Sequence, residues 1–357
     1  MKRIVALALA LLLTLSALIL PAAAETLKTA KCGALLMLNM TEEEMSNYRK
    51  ARFLIDRQLG KEGLNTSLFH EALGKNVGVL ENYDIIYFDS LDTMLMSLNA
   101  GEINALEIYQ TTADYLTHQN PELVEGITYD IGDDAGFFAQ AVKNGSLSND
   151  FAFMMMESNT SLRDEFNEAL ASITEDEMNQ LIQDYITAAI NDGTVTPVTM
   201  PVIDDAETIK VAVTGSLPPM DYVAADGSPA GFNTALLAEI SKRINKNIEL
   251  VVVDSVGRAA ALASGTVDAV FWTRTNRRAN EVAEMSEEER SSFIDNEQLT
   301  DAERETLRQV RELFDFSTYG KADMPEGTII TMPYYSDLIV PVTTKATLES
   351  IKDQAGN

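Results

Sequence analysis

The residues that could perform chemistry in this sequence are few and scattered. The only histidines are His70 and His118, the only cysteine is Cys32, and none stands at a spacing typical of metal ligands. The sequence contains no glycine-rich phosphate loop, no paired-cysteine motif and no nucleophile elbow. The 55 Asp and Glu residues are spread along helical patterns, so no catalytic carboxylate pair stands out. The sequence therefore predicts no catalytic residues, no metal site and no cofactor.

Polar and aromatic residues at the ends of buried strands favour binding over catalysis. The stretch 209–275 has the order strand, helix, strand, helix, strand, and a stretch beginning near residue 33 repeats it. This order predicts parallel sheets, in which ligands bind beyond the carboxyl ends of the strands and helix N-termini offer free N–H groups. The candidate ligand-binding residues follow such strands: Ser216, Met220, Tyr222, Trp272, Thr273, Arg274, Asn39, Thr41, Tyr109 and Gln110.

Cap and turn signals bound the elements that must position these residues. Asn233 or Thr234 is predicted to cap the helix after the first strand of the later unit. Ser90 is predicted to cap a helix of the earlier unit, and Gly101 to end it. Residues 33–38 are predicted to form a buried strand. Together these signals predict an α/β protein built from two strand-and-helix units.

The first residues indicate the cellular location of the protein, and its net charge indicates which partners it does not bind. Residues 1–24 have the pattern of a secretory signal peptide, with a basic start, an apolar run and small residues before Glu25. A transmembrane anchor is the alternative, but the apolar run is short for a span. We therefore expect an exported, periplasmic or extracellular protein that is soluble, and not inserted in the membrane, after cleavage. The net charge of −28 argues against nucleic-acid binding, because no basic face would release phosphate counterions.

The second half of the chain carries a resemblance to a known family. Five sequence motifs occur there in this order: VAVTGSLPPMDYV, DGSPAGFNTALLAEI, LASGTVDAV, FDFS and MPYYSDLIV. They resemble the first lobe of the family 3 extracytoplasmic solute-binding proteins, the amino-acid-type receptors of ABC importers. In the first half, GALLMLNMTEEE, YFDSLDTMLMSLNAGEINALEI and DFAFMMMESNTSLRDEFNEALASI resemble the second lobe of that family with its returning strand and closing helix. The resemblance implies the two-lobed periplasmic-binding-protein type 2 (Venus flytrap) fold.

The two lobes stand in the reverse of the family's usual order, which implies a circularly permuted chain. The predicted parts are a second-lobe-like domain with closing helices at 25–190, a linker at 191–207 and a first-lobe-like domain at 208–357. The alternative is two half-receptors, each completed by a second chain in a swapped dimer. A charged insertion at about 277–313 is predicted to form a solvated helical hairpin, or else a docking surface for a membrane partner.

The resemblance also implies a function. It implies that a small polar solute, amino-acid-like or related, binds in the cleft between the lobes and is delivered to an ABC importer permease. Arg274 and Arg278 stand near the arginine that the family uses bidentately on a ligand carboxylate. The acidic residues that the family places near Thr214 and near Tyr109 for a ligand ammonium are absent, which argues against an ordinary α-amino acid. The alternatives are a sensory or protein-interaction module and a dehydratase-like enzyme on the same fold.

Overall fold

A computed structural model of the chain describes residues 30–35, 42–68, 83–143, 148–254, 257–275, 286, 294–313 and 326–355. The predicted signal peptide and three candidate site residues, Asn39, Thr41 and Arg278, lie outside these residues. Within the described parts of the chain, no helix has the length and apolar character needed to cross a membrane.

Strands and helices alternate through the first half of the chain. Their bounds are β1 (Ala30–Leu35), α1 (Glu42–Lys61), β2 (Asn65–Ser67), β3 (Tyr83–Phe88), α2 (Leu91–Asn99), β4 (Ala105–Tyr109), α3 (Gln110–Gln119), β5 (Leu123–Glu125), β6 (Ile127–Tyr129), α4 (Phe137–Val142), β7 (Ser148–Met156), α5 (Thr160–Ser172), α6 (Glu175–Ile182) and α7 (Ala188–Asp192). Ser90 caps α2 by accepting a hydrogen bond from the Thr93 backbone N–H, as predicted, and Gly101 follows the helix with φ +73°. β1 begins three residues before the predicted strand.

The second half repeats the alternation with a short three-stranded sheet after its first strand. The bounds are β8 (Thr208–Val213), β9 (Ser216–Leu217), β10 (Asp221–Val223), β11 (Pro229–Ala230), α8 (Phe232–Ile244), β12 (Asn247–Val252), α9 (Gly257–Ala263), β13 (Ala269–Thr275), α10 (Asp301–Leu313), β14 (Thr328–Ile330), β15 (Tyr335–Thr344) and α11 (Lys345–Ala355). The predicted cap of α8 is wrong. Gly231 precedes the helix in a left-handed conformation, so Asn233 and Thr234 lie inside the first turn.

One continuous sheet joins two lobes. Its strand order is β12-β8-β13-β7-β15-β4-β1-β3. We call β8, β12 and β13 with α8 and α9 the first lobe, because these three strands are parallel. The parallel strands β1, β3 and β4, with α1 to α3, form the second lobe. The hinge strands β7 and β15 are antiparallel and lie between them; β15 pairs with β7 through residues 335–338 and with β4 through residues 339–342.

The chain crosses between the two lobes twice. The chain leaves the second lobe along β7, builds the first lobe and returns along β15, which pairs with β4 of the second lobe. In α11, Leu348 and Ile351 pack in one hydrophobic cluster with Cys32 of β1 and Ala105 of β4. The last described helix therefore lies against the first described strand. A single chain supplies all the described strands of this sheet.

The last helix of the charged insertion packs against the second lobe. This helix, α10, is preceded by a capping residue, Thr300, whose hydroxyl accepts a hydrogen bond from the Glu303 N–H. On the inner face of the helix, Val310 is buried in a cluster with Ile55 of α1 and Phe138 of α4. The prediction of a solvated hairpin is therefore wrong for this helix. Its apolar positions recur at helical spacing and require a packing surface, which the second lobe provides.

Truncation of Val310 tests this packing. We expect Val310→Ala to lower the free energy of unfolding by about 1–2 kcal/mol, because two buried methyl groups lose their contacts. Arg308→Ala on the exposed face of the same helix is the control and is expected to change stability by less than about 0.5 kcal/mol. Urea unfolding of both variants is the measurement. Equal, negligible changes would mean that α10 does not pack on the second lobe.

Candidate functional site

The carboxyl ends of the parallel strands in the two lobes meet head to head over the hinge strands. At the end of β13, Arg274 pairs with Phe151 of β7, which itself pairs with Tyr335 of β15. At the end of β4, Tyr109 pairs with Ile339, only four residues further along β15. Because β13 and β4 approach this point from opposite directions, their carboxyl ends face each other. We call the space between these two edges the interlobe cleft.

Aromatic rings from both lobes and from the hinge strands contact one another at the cleft. The ring of Tyr222, from the three-stranded sheet after β8, lies 6.5 Å from that of Tyr115 on α3 of the second lobe. The ring of Tyr335 on β15 lies 5.3 Å from Phe232 at the start of α8. These contacts place side chains of the first lobe directly against the second lobe and the hinge.

A buried carboxylate occupies the hinge beside these rings. Asp337 lies two residues after Tyr335, so both side chains are on one face of β15. An Oδ of Asp337 accepts a hydrogen bond from the Thr111 backbone N–H (3.2 Å), in the first turn of α3, and Oδ1 accepts one from the Leu338 N–H (2.8 Å). The Thr111 hydroxyl shares a hydrogen bond with the Tyr335 hydroxyl (2.9 Å). We call Thr111, Tyr335 and Asp337 the hinge cluster.

Burial shifts the titration of the hinge cluster. It raises the pKa of Asp337 from an ordinary 3.8 to about 7, and the charge of nearby Asp114 acts in the same direction. The hydrogen bonds from Thr111 and Leu338 oppose this rise because they stabilise the charged form. Burial also raises the pKa of Tyr335 to about 12, with a contribution from the charge of Asp337.

The turn after β8 is held by a second buried carboxylate. Asp221 accepts hydrogen bonds from the Thr214 N–H (2.7 Å), the Thr214 hydroxyl (2.7 Å) and the Gly215 N–H (2.8 Å). Burial raises the pKa of Asp221, and these hydrogen bonds oppose the rise. These hydrogen bonds hold the turn, and the half-buried Ser216 follows it at the carboxyl edge of the first lobe.

A further acidic group lies at the start of α3. The Gln110 amide donates hydrogen bonds to Asp114 Oδ1 (2.9 Å) and to Glu125 Oε2 (2.8 Å). Burial raises the pKa of Glu125 to about 7, and Asp114 contributes further. Together with Asp337, these carboxylates make the second-lobe side of the cleft acidic.

The structure brings several of the sequence-predicted residues to the cleft. Tyr109, Gln110, Ser216 and Tyr222 lie at its edges. Met220 does not, because its side chain is fully buried in the core. Thr273 is buried within β13. Trp272 and Arg274 belong to β13 by their backbone, and their side chains lie outside the described part of the structure.

Sequence reasoning missed three residues that the structure places at the cleft: Tyr115, Tyr335 and Asp337. A signal for two of them was present. Tyr335 and Asp337 stand two residues apart within a β-strand pattern, a spacing that puts both on one face. No sequence pattern indicates that Tyr115 lies at the cleft, because the contact between its ring and that of Tyr222 depends on how the two lobes pack.

Three buried polar side chains near the cleft have no hydrogen-bond partner within the described residues. They are Thr112 in the first turn of α3, Asn233 in the first turn of α8 and Thr273 near the end of β13. Leaving a buried donor or acceptor unpaired costs about 1–3 kcal/mol, so such groups are normally satisfied by water or a ligand. The described residues include no cluster of side chains suited to hold a metal ion.

Comparison with protein families finds a match to the first lobe. Residues 209–294 match the model of the bacterial extracellular solute-binding proteins, family 3. The resemblance of this stretch to that family is confirmed. The match covers β8 to β13, which supply the first-lobe side of the cleft. A sequence comparison with curated proteins finds no significant match.

Solved structures similar to this chain are distant. The ligand-binding component of an ABC-type import system from Staphylococcus aureus, with zinc bound, aligns with 92% of this chain and 69% of its own at 9% identity and a TM-score of 0.36. NikA from Staphylococcus aureus, in complex with Ni(L-His)2, aligns with 74% of this chain at 12% identity and a TM-score of 0.34; the alignment spans 58% of its length. An ancestral arginine-binding protein bound to arginine aligns over 93% of this chain and 92% of its own at 11% identity and a TM-score of 0.32. Similarities this low carry no inference about the ligand.

Proposed function

We propose that this protein is exported, binds a small polar solute in the interlobe cleft and delivers it to an ABC importer. The observation that carries the proposal is the head-to-head meeting of the carboxyl ends of β13 and β4 over the hinge strands. Ligands of open parallel sheets bind at this edge. Two such edges facing each other, joined by two strands, form a cleft that can close around a small molecule.

Contacts between the lobes support the proposal. Tyr222 of the first lobe meets Tyr115 of the second, and the hinge cluster joins β15 to the first turn of α3. The unpartnered side chains of Thr112 and Asn233 add polar atoms that a solute or water would satisfy. The family match of the first lobe and the signal-peptide pattern at 1–24 favour a role outside the cytoplasm.

The test is a solute screen followed by a cleft variant. The mature protein is heated with amino acids, amines, short peptides and organic acids, and a binding solute at a hundred times its dissociation constant is expected to stabilise it by about 2.7 kcal/mol. Titration calorimetry of the best solute is then repeated on Tyr222→Ala, for which we expect an affinity at least about tenfold weaker because the variant removes an aromatic contact at the cleft.

Val223→Ala is the matched control. Val223 is the next residue of β10, so its side chain points to the other face of the strand, and half of it is exposed. We expect this variant to bind the solute as the unsubstituted protein does. Equal affinities in all three proteins would place the solute elsewhere. If no solute stabilises the protein, solute binding is contradicted and an interaction module is favoured. If the protein converts a solute to a product, an enzyme is favoured.

A further inference from the structure

The groups that would hold a ligand carboxylate are already occupied by carboxylates of the chain. Anions bind at helix N-termini and at turns after strands because free backbone N–H groups point at them. In the first turn of α3, the Thr111 N–H donates to Asp337. In the turn after β8, the N–H groups of Thr214 and Gly215 donate to Asp221. On each side of the cleft, backbone N–H groups that could bind an anionic ligand therefore already bind a carboxylate of the chain, Asp337 on one side and Asp221 on the other.

Asp337, the carboxylate of the hinge cluster, pairs with no lysine or arginine among the side chains that the structure describes. Two backbone N–H groups donate hydrogen bonds to it. The charge of Asp114 on α3 acts on Asp337, and it is also negative. A buried carboxylate beside a like charge is stabilised by a cation that enters next to it.

The rings at the cleft suit the same kind of ligand. Tyr222 and Tyr115 come from opposite lobes with their ring planes tilted by 46°, and Tyr335 lies on the same strand face as Asp337. The faces of aromatic rings attract ammonium groups, and this attraction grows when water is excluded, as it is when two lobes close. A carboxylate with tyrosines on both sides of a cleft is an arrangement that recognises an organic cation.

We infer that the interlobe cleft selects a solute that carries an ammonium group and does not need a carboxylate, with Asp337 as the group that faces the cation. The inference rests on the proposed function, because it names the class of solute bound in that cleft. It differs from the sequence-based expectation, in which Arg274 or Arg278 holds a ligand carboxylate.

Matched pairs of amino acids and their decarboxylated amines test the inference. Lysine is compared with cadaverine and arginine with agmatine by titration calorimetry of the mature protein at pH 8. We expect at least one amine to bind about tenfold more tightly than its parent amino acid. In Asp337→Asn we expect that preference to fall below about threefold, because the variant removes the negative charge. Asp176→Asn, which removes one charge from an exposed helix position, is the control and is expected to keep the preference.

The outcomes separate the inference from the proposed function. An amino acid that binds as tightly as its amine would overturn the inference and leave solute binding intact. Loss of that amino acid's binding in Arg274→Ala would then place the ligand carboxylate on the arginine. Tight binding of an organic acid with no amine would also overturn the inference. If nothing in the wider solute screen binds, the proposed function fails as well. The comparison of matched pairs on the unsubstituted protein decides the class of solute even if Asp337→Asn does not fold.

Discussion

Gly231→Ala is expected to destabilise the protein by about 3–5 kcal/mol. Gly231 has φ +102°, a region that residues with a Cβ rarely adopt. A Cβ at this position would lie 2.6 Å from the carbonyl oxygen of Met220 and 2.8 Å from that of Pro219. Both neighbours are backbone, so neither can turn aside as a side chain would. Backbone strain and overpacking each cost about 1–3 kcal/mol, and here they add.

A second glycine provides the control for this prediction. Gly227, in the turn between β10 and β11, also has a left-handed φ of +87°, but an added Cβ would meet no atom within 4 Å. We therefore expect Gly227→Ala to cost only about 1–2 kcal/mol, the conformational part alone. Urea unfolding of both variants measures the difference. If the two substitutions cost the same, the close approach of Gly231 to Met220 is not present in the folded protein.

The local elements of the two lobes could be predicted from the sequence because local patterns encode them. β-Branched runs, helical spacing of apolar residues and cap residues such as Ser90 and Thr300 act over only a few residues. The cap of α8 was mispredicted because Asn233 and Thr234 are common cap residues. In the structure the carbonyls of Pro219 and Met220 accept hydrogen bonds from the N–H groups of Phe232 and Asn233, and these contacts require the folded turn.

The site was less predictable because it is assembled from distant parts of the chain. Tyr109 ends β4 and Tyr222 lies shortly after β8, so both could be predicted by position. The spacing of Asp337 and Tyr335 indicates only a shared strand face, and their place at the cleft, like that of Tyr115, depends on the hinge strands bringing α3 against β15 and the first lobe. The packing of α10 on α1 is also a contact between distant segments. A charged helix with one apolar face does not by itself indicate which surface covers that face.

The pH dependence of stability is expected to report on Asp337. Its pKa rises from 3.8 to about 7 on folding because the carboxyl group is buried. At a pH between these two pKa values, Asp337 is protonated in the native state and deprotonated in the unfolded state. The stabilising contribution is therefore complete below pH 3.8, and it is lost as the pH rises through 7. From pH 5 to pH 8 the free energy of unfolding is expected to fall by about 2–3 kcal/mol through this group.

Asp337→Asn removes this titration, so the variant's stability is expected to depend less on pH over the same range. The titratable groups facing Asp337 are Tyr335, which stays neutral because its pKa is about 12, and Asp114. Glu125 has a pKa raised to about 7 and is retained in the variant, so the informative quantity is the difference between the two pH profiles. Urea unfolding at pH 5, 6, 7 and 8 measures it, with Asp176→Asn as the control for an exposed carboxylate. Parallel profiles for the unsubstituted protein and Asp337→Asn would mean that the carboxylate is not buried at the hinge, which would contradict the position that the structure gives it.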